Sequence, residues 1–137
     1  MPLNLGLLCS NAGLEMAAVV RAVAAGGIPA AVGIAISDCQ SSALIAPRSA
    51  GFQGILIPRA PFHANRDGYE RRLVQILTQA EVRLVVLAGY EREPGPVLTA
   101  AFPIFGQGLG PEELVARLTE KVRANLLTLV GAPGERS

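Results

Sequence analysis

Short, mostly apolar runs alternate with longer amphipathic ones along the chain as far as residue 88. Residues 3–9 (LNLGLLC) are apolar at odd and even positions alike, the pattern of a parallel strand covered by helices on both faces. Residues 13–25 are rich in Ala, Met and Leu, with Asn11 placed to cap them and Gly26-Gly27 to close them, which predicts a helix. Further strands are expected at 30–37, 54–57 and 82–88, the last being the clearest. Residues 38–50 predict a short helix confined to one side of Pro47, since proline breaks a helix interior. Asp67 and Glu70 have the spacing of a capping box, and Tyr69, Leu73, Ile76, Leu77 and Ala80 follow on one face of a helix.

Strands and helices in this order predict an α/β fold, a Rossmann-like doubly wound, mainly parallel sheet with right-handed crossovers. After Gly95 the pattern changes. Residues 97–105 read as one extended strand reached too soon for a helical crossover, hence antiparallel to its neighbour. Pro111 then opens a C-terminal helix with Glu112 and Glu113 in its first turn and Leu114, Leu118, Val122, Leu126 and Leu129 as its buried stripe. The expected organisation is a single domain over 1–137, with an N-terminal part at 1–93, a C-terminal strand and helix at 95–131, and a frayed tail at 132–137. No internal repeat or low-complexity linker interrupts it.

Composition narrows the function classes. The 137 residues are 50% hydrophobic, enough for one real core. Twelve Lys and Arg are balanced by eleven Asp and Glu, spread along the chain, so the basic stripe of a nucleic-acid binder is not there. Low net charge also leaves self-association little opposed. Cys9 and Cys39 match no metal or CxxC spacing and read as buried thiols of a reducing compartment. The N-terminal MPLNLGLLCS has no basic segment and too short an apolar run for a leader, and Gly, Pro and charges punctuate every run before membrane-spanning length. A soluble, cytoplasmic protein is expected.

Ligands of open parallel sheets bind beyond the carboxyl ends of the strands, which directs attention to 10–15, 38–42, 58–67 and 89–96. The first of these, SNAGLE, enters a helix N-terminus suited to a phosphate, yet lacks a dinucleotide or P-loop spacing and places Glu15 beside the anion. A plain strand-to-helix turn is an equal reading. His63 is the only histidine, and nothing in the spacing ties it to a nucleophile or metal cluster, so it reads as a loop residue. Arg66 and Arg72 either meet an anionic ligand or pair with Asp67 and Glu70 on their own helix. The run Tyr90-Glu91-Arg92-Glu93 is either a ligand loop or solvated charge.

RDGYERRLVQIL followed by VVLAGYER resembles the phosphoribosylglycinamide formyltransferases, folate-dependent enzymes of purine synthesis in which a strand ending Leu-Ala-Gly-aromatic leads into the folate loop. LGLLCSNAGLEMAAVV is similar to that family's first strand and glycine-rich loop. GPVLTAAFPIFGQGLGPEELVARL is similar to its later strand and C-terminal helix. The resemblance implies a residual phosphate site at Ser10, Asn11 and Gly13, and a residual folate side at Arg66, Tyr90 and Arg92. It implies no catalytic residues. The family carries an Asn-x-His-Pro-Ser-Leu-Leu-Pro segment and then an Asp before Gly-Pro-Val, whereas here Arg92 is followed almost at once by Gly95-Pro96-Val97.

At the phosphate loop, Leu14 and Glu15 stand where the family's Ser and Asn would bind the ribonucleotide. A formyl-tetrahydrofolate-like molecule is therefore the more credible ligand, and no other cofactor or metal is implied. The expectation is an internally truncated member, inactive in formyl transfer. Its role would be self-association, most simply as a homodimer joined through the 82–88 and 97–105 strands, or partner binding. The alternatives are a folate-like or phosphate ligand-binding module and an enzyme completed by another chain.

Overall fold

A computed structural model describes residues 3–131, with side chains through residue 125. Five parallel strands, β1 (Leu3–Cys9), β2 (Ala30–Ser37), β3 (Gly54–Leu56), β4 (Leu84–Leu87) and β5 (Ile104–Phe105), form one sheet in the order β3-β2-β1-β4-β5. The helices are α1 (Leu14–Ala24), α2 (Ile45–Ser49), α3 (Arg66–Gln79), α4 (Pro96–Ala101) and α5 (Pro111–Gly131), with short 3-10 turns at Ser41–Leu44 and Ala60–Phe62. The chain builds outward from β1 in one direction to β3, then returns to β4 and continues in the other direction. The reversal between β1 and β4 opens a crevice at the carboxyl ends of those two strands.

Strand periodicity divides the core in two. Leu3, Leu5, Leu7 and Cys9 of β1 and Leu84 and Val86 of β4 pack with Met16, Val19, Val20 and Val23 of α1 and Leu114, Leu118 and Val122 of α5. On the opposite face Leu8, Ile34, Ile36, Val85 and Leu87 meet Tyr69, Leu73, Ile76 and Leu77 of α3 and Leu98 of α4. Alternate strand residues point to opposite faces, so a two-sided apolar strand requires this double cover. Gly6 is the exception in β1, where a Cβ would lie 2.6 Å from Leu77 Cδ2. Residues 126 and 129 of the expected α5 stripe, and the tail at 132–137, lie outside the described side chains and residues.

Four local expectations are corrected. The antiparallel strand does not exist. Residues 96–101 are helical, and only Ile104 and Phe105 pair with β4, in parallel register Val85↔Ile104 and Val86↔Phe105. Pro96 suits the first helical position. Phe102, preceding Pro103, is driven to extended geometry at φ −142 and ψ 147, which ends the helix and turns the chain into β5. The segment called one strand thus contains its own short crossover helix.

Pro47 sits inside α2 instead of limiting it. Because α2 begins at Ile45, Pro47 lies in the first turn, where an N–H would have no intrahelical partner.

Glu70 does not close a capping box. Asn65 caps α3, its side chain accepting from Gly68 N, and Glu70 points elsewhere.

Asn11 lies two residues before the N-cap of α1, which is Gly13 at φ 103. A Cβ there would also meet Ala43 Cα at 2.8 Å, so backbone conformation and close packing both favour glycine.

Residues 82 and 84–88 are buried in the middle of the sheet, so they offer no free apolar face for a dimer, and Ile104 and Phe105 at the edge are half-buried. No helix among the described residues is long and apolar enough to cross a membrane.

Candidate functional site

The loops following β1, β2, β3 and β4 converge at one end of the sheet and are tied together by their own backbones. Ser10 N and Asn11 N both donate to Gly89 O, at 2.9 and 3.3 Å. Ser10 Oγ accepts from Glu91 N at 3.0 Å. Gly89 takes φ +85, and a Cβ on it would lie 2.4 Å from Asn11 Nδ2, so the two loops touch through a residue with no side chain.

The proposed phosphate turn is filled by the protein itself. Asn11 Oδ1 accepts from Gly13 N at 2.8 Å, and Asn11 Nδ2 donates to Glu15 Oε1 at 2.7 Å. An arriving phosphate would have to displace the amide oxygen from that backbone donor and then face the Glu15 carboxylate, which opposes anion binding at a helix start. Ser10, Asn11 and Gly13 are adjacent, as the sequence suggests, but they serve one another and the neighbouring loop. A cleft of about 430 Å³ nearby is lined by Asn11, Glu15, Gly89, Tyr90, Glu91 and the turn at 107–110.

The folate-side trio separates into two groups. Arg66, at the start of α3, and Arg92, in the loop after β4, line one pocket of about 220 Å³ together with Phe62, His63, Asn65, Glu93 and Glu70, whose carboxylate is taken up by other contacts. Neither guanidinium forms an ion pair or side-chain hydrogen bond among the described residues. Tyr90 does not line that pocket. It is buried, and its hydroxyl accepts from Arg59 Nη2. His63, left aside as a base, does line the pocket, at a positive φ of 55.

Arg59 and Asp38 are the site residues that sequence reasoning passed over. Arg59 Nε donates to Asp38 Oδ2 at 2.7 Å, and the guanidinium lies over the rings of Tyr69 at 4.3 Å and Tyr90 at 5.3 Å from their centroids. Tyr69 in turn donates to Ile57 O at 2.6 Å and meets Phe62 edge to face. Burial works most strongly against the Arg59 charge, but the bond to Asp38 together with the electrostatic attraction of Tyr90, Asp38 and Tyr69 outweighs it, and its pKa is raised. Burial likewise pushes the Tyr90 phenol up to about 12, with Arg59 opposing. The available signal was positional: Asp38 follows β2 and Arg59 follows β3, adjacent strands whose ends bring acid and base together.

Cys9 is buried and its thiol is pushed up to about 12 by that burial. Cys39, expected to be buried, is exposed and donates to Ser10 O at 2.7 Å. No cluster of three or more metal-ligating side chains occurs among the described residues.

Solved structures share this fold. Glycinamide ribonucleotide transformylase 1 from Symbiobacterium toebii superposes with a TM-score of 0.70 at 30% identity, over 75% of this chain and 50% of that one. Phosphoribosylglycinamide formyltransferase from Bacillus halodurans gives 0.67 at 25% identity, over 74% and 53%. The enzyme of the same name from Brucella melitensis gives 0.61 at 21% identity over 94% of each chain, a likeness of fold. This chain spans about half the length of the first two proteins. No family profile and no curated protein matches it.

Proposed function

We propose, from its resemblance in sequence and fold to the glycinamide ribonucleotide transformylases, that this chain is a formyltransferase-like ligand-binding protein that holds the anionic end of a folate-like molecule without transferring its formyl group. The observation that carries the reading is the meeting of Arg66 and Arg92, from separate loops, on one small pocket with no acidic partner bonded to either. Two unpaired guanidiniums facing one cavity favour a carboxylate, which each can grip with two parallel hydrogen bonds. At about 220 Å³ the pocket is below the usual range for drug-sized ligands. It suits one charged end of the ligand, with the remainder lying over the loop.

The same geometry argues against the ribonucleotide. The turn that would take its phosphate is occupied by Asn11 and approached by Glu15. Chemistry is opposed on different grounds. The Asn, His and Asp that the resemblance associates with transfer have no counterpart between Arg92 and Gly95, and positioned acid-base and charge-stabilising groups supply factors of about 10² or more each.

Calorimetry on one protein sample with formyl-tetrahydrofolate and with glycinamide ribonucleotide tests the reading, accompanied by an assay for formyl transfer. Saturable binding of the folate, weaker binding of the ribonucleotide and no turnover are expected. Tighter binding of the ribonucleotide, or turnover that co-purifies with the chain, would contradict it.

A further inference from the structure

A second cleft, of about 420 Å³, opens over the ends of β1, β2 and β3, walled by Ser10, Asp38, Cys39, Arg59, Glu91 and Arg92. Asp38 is only 7% exposed. Its Oδ2 is held by Arg59, while its Oδ1 is buried with no hydrogen-bond partner among the described residues. Buried carboxylate oxygens are rarely left unpaired, and one in a cleft wall calls for a donor from outside the chain. The adjacent Cys39 thiol is within reach of the Asp38 carboxylate but donates to Ser10 O at 2.7 Å. Cys39 is exposed and stands beside Asp38 on the wall of the same cleft.

The chemistry of the missing donor follows from what the neighbours already do. Arg59 neutralises Asp38, so the pair needs no cation. Arg59 commits Nε to Asp38 and Nη2 to Tyr90, which leaves Nη1 without a partner among the described residues. The wall therefore offers one acceptor and one nearby donor with no net charge, complementary to two neighbouring hydroxyls. Its place in the fold agrees: an acidic side chain at the end of the second strand of an open parallel sheet is where ribose hydroxyls are recognised. Pro58 and Ala60 supply apolar surface beside it. The filled turn at Asn11 and Glu15 disfavours a phosphate next door.

We propose that this cleft binds the ribose of an unphosphorylated nucleoside, one hydroxyl donating to Asp38 Oδ1 and its neighbour accepting from Arg59. The site is separate from the Arg66 pocket and goes beyond the folate reading, sharing only Arg59 and Arg92 with it.

Titration of the whole chain with adenosine, and with 2′,3′-dideoxyadenosine, followed by calorimetry or by NMR shifts, tests it. Adenosine should bind saturably, and the dideoxy compound about tenfold or more weakly, because a site built for hydroxyls is left unpaired by an analogue lacking them. Asp38→Ala should abolish adenosine binding. Since that change also frees Arg59, Asp38→Asn, which keeps the shape, is measured alongside and should weaken adenosine severalfold in a variant whose circular dichroism is native. Arg66→Ala should leave adenosine affinity unchanged whether or not the folate reading survives. Equal binding of the two nucleosides, no saturable adenosine binding at millimolar concentration, undiminished binding by natively folded Asp38→Asn, or loss of binding in Arg66→Ala would each overturn the proposal.

Discussion

Glu70, near the start of α3, closes the N-terminus of α4: its Oε2 accepts from Gly95 N at 2.6 Å and its Oε1 from Leu98 N at 3.0 Å. Gly95 is the N-cap of α4 and has no side chain to do this itself. A carboxylate from another element therefore satisfies the free amides and complements the helix dipole. The contact fixes the end of the loop that carries Arg92, one turn of helix away from Arg66.

Replacing Glu70 should therefore damage stability well beyond a surface change. Glu70→Ala leaves two amides without acceptors in a buried site, and a loss of about 3 kcal/mol is expected. Glu70→Gln keeps the acceptor oxygen for one amide and should lose about half as much. Urea denaturation of the two variants checks the order, and equal losses would count against the capping role.

Gly95→Ala separates site geometry from stability. An added Cβ would lie 2.6 Å from Arg66 Nε and 3.0 Å from Glu70 Oε1. The flexible Arg66 side chain is the group able to yield. Stability should fall by about 1 kcal/mol, while binding of a folate-like carboxylate falls about tenfold because Arg66 is pushed from the pocket. Unchanged affinity, measured by calorimetry, would show that Arg66 does not hold the ligand.

Stability should decline in alkali. Burial pushes the Cys9 thiol from 9.0 up to about 12, and the Tyr90 phenol from 10.0 up to about 12. Both stay protonated in the folded chain while the unfolded chain loses those protons, so stability is fully present below pH 9 and falls toward pH 12. Each group contributes a slope of about 1.4 kcal/mol per pH unit between its two pKa values. Denaturation at pH 8 and 10.5 should show a smaller drop for Cys9→Ala than for the parent. A disulfide-exchange reagent at pH 8 should label Cys39 in the folded protein and reach Cys9 only on unfolding, given that Cys9 is buried and Cys39 exposed.

The sequence was most legible where periodicity and burial coincide. Leu3 to Cys9, Met16 to Val23 and Tyr69 to Leu77 carry patterns that admit one face or two, and the sheet with its two cores follows. It was least legible after Gly95, where Val97, Leu98, Ile104 and Phe105 are apolar in a way that fits a strand. Pro96 at a helix start and the Glu70 cap decide for helix, and the second depends on a contact between residues far apart in the chain.

The same limit applies to the site. Arg66 and Arg92 were identified together through the motifs RDGYERRL and LAGYER, and they do line one pocket. Tyr90 belongs to the same motif, but its side chain is drawn to Arg59. The Asp38–Arg59 pair appears only once the adjacency of β2 and β3 is known, because neither residue belongs to a local pattern.

Calorimetric titration of formyl-tetrahydrofolate into the parent chain and into an Arg66→Ala, Arg92→Ala double variant tests the central claim most directly. The two guanidiniums are exposed at the pocket mouth and pair with nothing else described, so the variant should fold normally. Saturable binding by the parent, reduced at least about a hundredfold in the variant, is the predicted result, at about 1.5–3 kcal/mol for each charge-assisted bond lost. A parent that does not bind, or a natively folded double variant that binds as the parent does, would contradict the account.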